Sequence, residues 1–201
     1  MRNDVILIGR ELTVFLFTSL FITLMICPLY VDVVWMDNAL HEASFTETVQ
    51  ELLLVSLAAL FFIAARHRPE QRGGLTLIAG FYSCMLIREL DFFFDLIRHG
   101  SWVWFALAIA LGSLAVAMRT PKQTISALAD LLNHNRWPVM AAGLMIVLVF
   151  SRLFGMNALW EHLMPDHYNR GVKNMAEEGV ELLGYSLCWL AGLRYLWQTR
   201  R

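Results

Sequence analysis

Four ionisable residues, Arg88, Glu89, Asp91 and Asp95, interrupt an otherwise apolar run between Leu75 and Ile97. A run of that length reaches across a bilayer, for which a helix needs ~20 residues. Charges inside such a run are costly, turn toward a protein interior or a wet cavity, and mark sites more often than surfaces. Carboxylates gathered away from water have three uses. They hold a divalent cation through hard oxygen ligands, they exchange protons, or they pair with arginines and fix helices against one another.

Other segments bring charge to the same depth. At helical rise Arg88 lies about 21 Å past Gly74 and Asp91 about 25 Å past it. Arg152 stands as far beyond Pro138 as Arg88 does beyond Gly74. Glu51 falls about one turn into a second apolar run, and Glu178 and Glu181 fall in the first two turns of the last one. At about 100° per residue, Arg88, Asp91 and Asp95 share a face with Cys84, and His99 extends it if the helix continues. Glu89 points about 160° away from Asp91, toward a different neighbour, for which Arg152 is the candidate. The spacing therefore predicts pairs of Arg88 with Asp91 and of Arg152 with Glu89. It leaves Glu51, Asp91, Asp95, Glu178 and Glu181, with His99, as candidate ligands of a divalent cation, and Asp91 and Glu181 as candidate catalytic acids.

The elements that must position these residues are helical spans. Apolar runs at 11–31, 48–65, 74–97, 102–118, 138–157 and 176–197 predict an all-α, polytopic membrane bundle of six transmembrane helices in one domain. The first run lacks a small-residue cleavage site and is read as a retained span. Eleven basic residues (Arg2, Arg10, Arg66, Arg68, Arg72, Arg119, Lys122, Arg136, Arg194, Arg200 and Arg201) fall on one side of that arrangement. Arg98, Arg152, Arg170 and Lys173 fall on or near the other. The bias puts both termini in the cytoplasm and the charged layer in the outer half of the membrane. The first outer loop, with Asp32, Asp37, Glu42 and Glu47 and no Lys or Arg, agrees. Thr120-Pro121 followed by Ile125, Leu128, Leu131 and Leu132 predicts a short amphipathic helix on the cytoplasmic face between spans four and five, or equally a surface helix packed on the protein.

Several of these residues also have plain structural readings. Ser44-x-x-Glu47 and Asn174-x-x-Glu177 both have the form of a capping box. Glu51 could serve Thr48 in the same way. His162 and His167 fall in an outer loop and read first as solvated side chains. Cys27, Cys84 and Cys188 have no CxxC spacing and an odd count, so neither a disulfide framework nor a zinc knuckle is implied. Motifs such as HExxH, GxSxG and GxxxxGK[ST] are absent. With 58% hydrophobic and 16% charged residues the composition is that of a membrane protein, and the net charge of -1 argues against a nucleic-acid partner.

The segment Asn174-Met-Ala-Glu-Glu-Gly-Val-Glu-Leu-Leu-Gly-Tyr185, with Arg88-Glu-Leu-Asp91 and Glu51 upstream, resembles small multi-pass bacterial membrane proteins of uncharacterised function. The resemblance implies a bacterial inner-membrane protein and brings no activity with it.

Three functions fit the residues. The first is an outward-opening, carboxylate-rich pocket that binds or acts on a lipid or lipid-linked substrate. A divalent metal held by the acids, with His99 or His162 as a further ligand, could activate water there. The second is a non-catalytic membrane subunit whose charges pair internally, in a homo-oligomer or with a membrane-protein partner. The third is proton or cation transfer. The inner halves of the spans offer that route little beyond Ser56, Thr76 and Ser113.

Overall fold

The computed structural model describes residues 2–36, 44–165 and 168–199; Asp37, Glu42, His167, Arg200 and Arg201, named above, lie outside them, as does the side chain of Arg2. Every regular element among the described residues is helical. Helix α1 (Arg2–Leu24) continues through Cys27–Tyr30 into a π turn, Val31–Trp35. Then come α2 (Phe45–His67), α3 (Arg72–Glu89), a short helical turn (Asp91–Asp95) and α4 (Trp102–Met118). Helix α5 (Pro121–Asn133) leads to α6 (Trp137–Met145), which runs on through a π turn, Ile146–Phe150, to Ser151–Phe154. Two further helices, α7 (Asn157–Leu163) and α8 (Arg170–Gln198), close the chain.

The most apolar helices are the least buried. On α1, Phe15, Leu16 and Phe17 are 65%, 64% and 67% exposed, and α4 and α6 likewise turn Leu111, Leu148 and Val149 outward. In water such a surface would drive association. In hydrocarbon it costs nothing, and a helix satisfies its own backbone there. Three helical stretches, Asn3–Trp35, Phe45–His67 and Trp137–Phe154, are individually long and apolar enough to cross a membrane. A fourth is added if α4 and α5, bent by 108°, form one broken span. Four of the six expected runs are thus represented. The other two, α3 and α8, carry more polar groups, and they are the helices most enclosed by the rest.

Helix α3 lies between α2 and α4 and rests its first turns on α5, while α8 packs against α2 and α6. Along α2 the inward residues Gln50, Leu54, Leu57, Phe61 and Ala64 recur at three- and four-residue spacing, as one helical stripe requires. Phe61 stacks between Tyr82 of α3 and Tyr195 of α8, with centroids 6.1 and 6.2 Å away. The long helices reverse direction in turn, with the shorter α5 set at 108° to α4. Asp32 near the end of α1 meets the start of α2, Cys84 of α3 meets Ala106 of α4, and Arg152 at the end of α6 meets Glu181 near the start of α8. The acids named above that fall among the described residues therefore gather at one end. Arg68, which binds Leu196 O and Thr199 Oγ1, belongs to the other.

Helices α6 and α8 approach closely at Gly143 and Gly184. A Cβ on Gly184 would overlap Val147 Cγ2 and press on the Gly143 carbonyl. Gly184→Leu is expected to cost at least about 3 kcal/mol, at the upper end of overpacking penalties. Thermal unfolding in detergent would show it, whereas Gly112→Leu, on open surface, should be neutral.

The amphipathic helix is present as α5, with Thr124, Ala127 and Leu131 inward and Ile125 and Leu132 exposed. Two local expectations are corrected. The third run does not continue as one helix to residue 97, because it breaks at Leu90 (φ -83°, ψ 16°) before Asp91–Asp95. The last helix starts at Arg170, capped by Asn169 Oδ1 on Gly171 N, so Asn174 and Glu177 lie inside it and form no capping box at its start. Trp160 of α7 is buried and donates Nε1–H to Phe154 O at 2.7 Å.

Candidate functional site at the acidic end of the bundle

The start of α2 organises this end. Ser44 and Glu47 form the expected capping box, each side chain accepting the other's backbone N–H at 3.1 Å. A second carboxylate reaches the same turn from α1. Asp32, fully buried, accepts Phe45 N–H and Thr46 N–H at 2.8 Å and the Thr46 hydroxyl at 2.6 Å. Helix N-termini leave N–H groups without partners and carry partial positive charge, so a carboxylate there is held by both effects. From sequence alone Asp32 reads only as a loop charge. The fixed start of α2 aims Gln50 at α8, where its Nε2 donates to Glu178 O and Glu178 Oε2, both at 3.1 Å.

One turn along α8, Glu181 is buried and bound to Arg152 Nη2 at 2.7 Å. The Ser151 hydroxyl reaches it too, at 3.1 Å. Arg152 also approaches Glu177 at 3.7 Å, and Lys173 Nζ holds the other oxygen of Glu177 at 2.8 Å. Arg152 therefore pairs with α8, not with Glu89 as expected. The π turn just before it adds one residue to the helical count, which rotates Arg152 and its successors by about 100° relative to an unbroken α-helix.

Glu89 is paired within its own helix. Arg88 Nη1 and the Tyr185 hydroxyl both donate to Glu89 Oε1 at 2.7 Å. The expected Arg88–Asp91 pair does not form, because the break at Leu90 turns Asp91 out of the phase assumed for a continuous helix. Asp91 instead joins Glu47, Thr48, Glu51 and Glu89 around a cavity of about 90 Å³, with Phe92 and Phe93 as its apolar wall. The charges at this end act on one another: Glu181 feels Glu89, Arg88 and Arg152, and Glu178 feels Glu181, Glu47 and Glu89.

The six residues expected as metal ligands are distributed over three places. Glu51 and Asp91 line the cavity, while Glu178 and Glu181 are engaged with Gln50, Ser151 and Arg152. Asp95 and His99 stand apart beyond the helix break. There His99 Nδ1 meets Asp95 Oδ2 at 2.7 Å, and Asp95 Oδ1 accepts Gly100 N–H at 2.8 Å, closing a turn in which Gly100 has φ 77°. Among the described residues no three His, Cys, Asp or Glu side chains converge as a metal ion would require. His162 is exposed on α7. The two candidate catalytic acids are likewise separated: Asp91 is exposed at the cavity, and Glu181, which does not line it, is buried in its ion pair.

The site and its setting define a class: an all-helical protein, several of whose helices are long and apolar enough to cross a membrane, with a polar network at one end of the bundle. No family model, curated protein or solved structure matches the chain.

Proposed function

We propose that the chain is a six-pass protein of the bacterial cytoplasmic membrane. Both termini lie inside, and the acidic cavity at the outer end receives the cationic part of a lipid or lipid-linked molecule. Six passes are supported by the reversal of successive helices, and the orientation by the excess of Arg and Lys at the end opposite the acids. One observation carries the ligand class. Glu47, Glu51, Glu89 and Asp91 surround a small space that Phe92 and Phe93 close on the apolar side. Carboxylates beside aromatic rings suit an ammonium group, through charge-assisted hydrogen bonds and cation–π attraction. Arg88, its side chain 40% exposed next to Glu89, is available to an adjoining phosphate.

Lipid retained by the purified protein tests this reading. Phosphatidylethanolamine is expected to be kept over phosphatidylglycerol of the same chain length at this site, and Glu51→Gln with Asp91→Asn should reduce that retention about tenfold. Retention unchanged in the double variant would remove the proposal. A second reading, a structural subunit, is favoured by the pairing of Glu89 with Arg88 and of Glu181 with Arg152. It expects no lipid dependence on Glu51 or Asp91.

A further inference from the structure

The opposite end of the bundle holds a groove of different character. Between α2 and α8 lies a cavity of about 280 Å³. Its walls are Leu60, Ile63, Ala64, Leu193, Leu196 and Trp197, and its end is closed by His67 and Arg68. The lining is apolar along its length and basic at one end, with no acid among the described residues that form it. Ile63 and Trp197 are 51% and 73% exposed, so the groove is open sideways, toward the space that hydrocarbon fills around a membrane protein. Arg68 donates to Thr199 Oγ1 at 2.7 Å and to Leu196 O at 3.1 Å. A guanidinium has five donors, and the hydrogen bonds to the described residues engage two of them. His67 is exposed beside it, and Arg66 and Arg72 stand at the same end of the bundle.

We propose that this groove docks an anionic phospholipid, with one acyl chain along Leu60, Ile63 and Leu193 and the phosphate on Arg68 and His67. The charge pattern selects this occupant. A neutral acyl chain or an apolar partner helix would leave the basic end unmatched. A water-soluble anion would leave the apolar length unmatched. Basic pockets between membrane helices recognise anionic headgroups on the cytoplasmic side, the side to which the basic excess assigns this end. The inference rests on the membrane reading above but not on the acidic cavity, which lies at the far end of α2.

The full chain, extracted in non-ionic detergent, should retain phosphatidylglycerol over phosphatidylcholine of equal chain length by about fivefold or more, as measured by native mass spectrometry. The same lipid should raise the unfolding temperature, and inorganic phosphate at equal concentration should not. Arg68→Gln removes both the lipid contact and the cap on α8, so His67→Glu, at an exposed position, is the second variant. It should abolish most of the preference while leaving the lipid-free unfolding temperature unchanged. Equal retention of the two lipids by the native protein overturns the proposal, as does a preference that survives both substitutions, or equal stabilisation by inorganic phosphate. A chain that stays in aqueous buffer without detergent overturns the membrane reading as well, which separates the two failures.

Discussion

Asp32→Ala is expected to destabilise the detergent-solubilised protein by about 3–5 kcal/mol, although Asp32 lines none of the cavities described above. The carboxylate is fully buried and accepts three hydrogen bonds, two from backbone N–H groups of the first turn of α2 and one from the Thr46 hydroxyl. Its removal leaves those donors facing a void. An exposed cap residue is worth about 1 kcal/mol, because water replaces it; a buried one has no such substitute. Asp32→Asn keeps the shape and one acceptor oxygen, and should recover about half of the loss. Denaturation of the three proteins under identical conditions measures the series. An alanine variant within about 1 kcal/mol of the native protein would show that the donors find other partners. Retention of lipid at the acidic cavity should fall with the stability of α2, since Glu47 and Glu51 sit on its first turns.

Arg152→Ala is expected to cost about 3–5 kcal/mol, and Glu181→Ala distinctly less. The asymmetry arises from where each group sits. The Glu181 side chain is 3% exposed, and without Arg152 only the Ser151 hydroxyl would remain to it among the contacts described. The Arg152 side chain is 39% exposed and keeps Glu177, at 3.7 Å, when Glu181 is lost. Removing both charges with residues of similar volume, Arg152→Met with Glu181→Leu, should restore most of the stability, because the pair had to be desolvated to form. A double variant as unstable as Arg152→Ala would mean that Glu181 contributes more than charge balance. Activity or ligand retention lost in a stable double variant would return Glu181 to the functional site.

What the sequence could reveal here depended on range. Ser44-x-x-Glu47 and the amphipathic pattern of α5 are contained within a turn or two, and both form as expected. The gathering of Glu51, Glu89, Asp91, Glu178 and Glu181 at one end was also legible, because depth needs only a starting point and a constant rise per residue. Partner choice was not, because it needs rotational phase. One break, at Leu90, moves Asp91 away from Arg88, and one π turn, at Ile146–Phe150, moves Arg152 from Glu89 to Glu181. Neither segment contains a proline or glycine to announce it. The role of Asp32 was hidden for another reason. Its hydrogen bonds span thirteen and fourteen residues across a loop, and no local pattern connects a carboxylate at the end of one helix to the first amides of the next. Helices α3 and α8 pack inside the others, and accordingly carry more polar groups than α1, α4 or α6.

The first helix is fastened to its neighbours at widely separated points. Near its middle, Arg194 donates to the Thr18 hydroxyl at 3.0 Å and Phe21 stacks on Trp189 at 5.5 Å. At its far end, Asp32 grips the start of α2. Between and around those points its surface is turned outward. That layout leaves α1 seated on α8 at one level and clasping α2 at another, so that the Asp32 carboxylate joins it, through the first turn of α2, to Gln50 and its bond to Glu178.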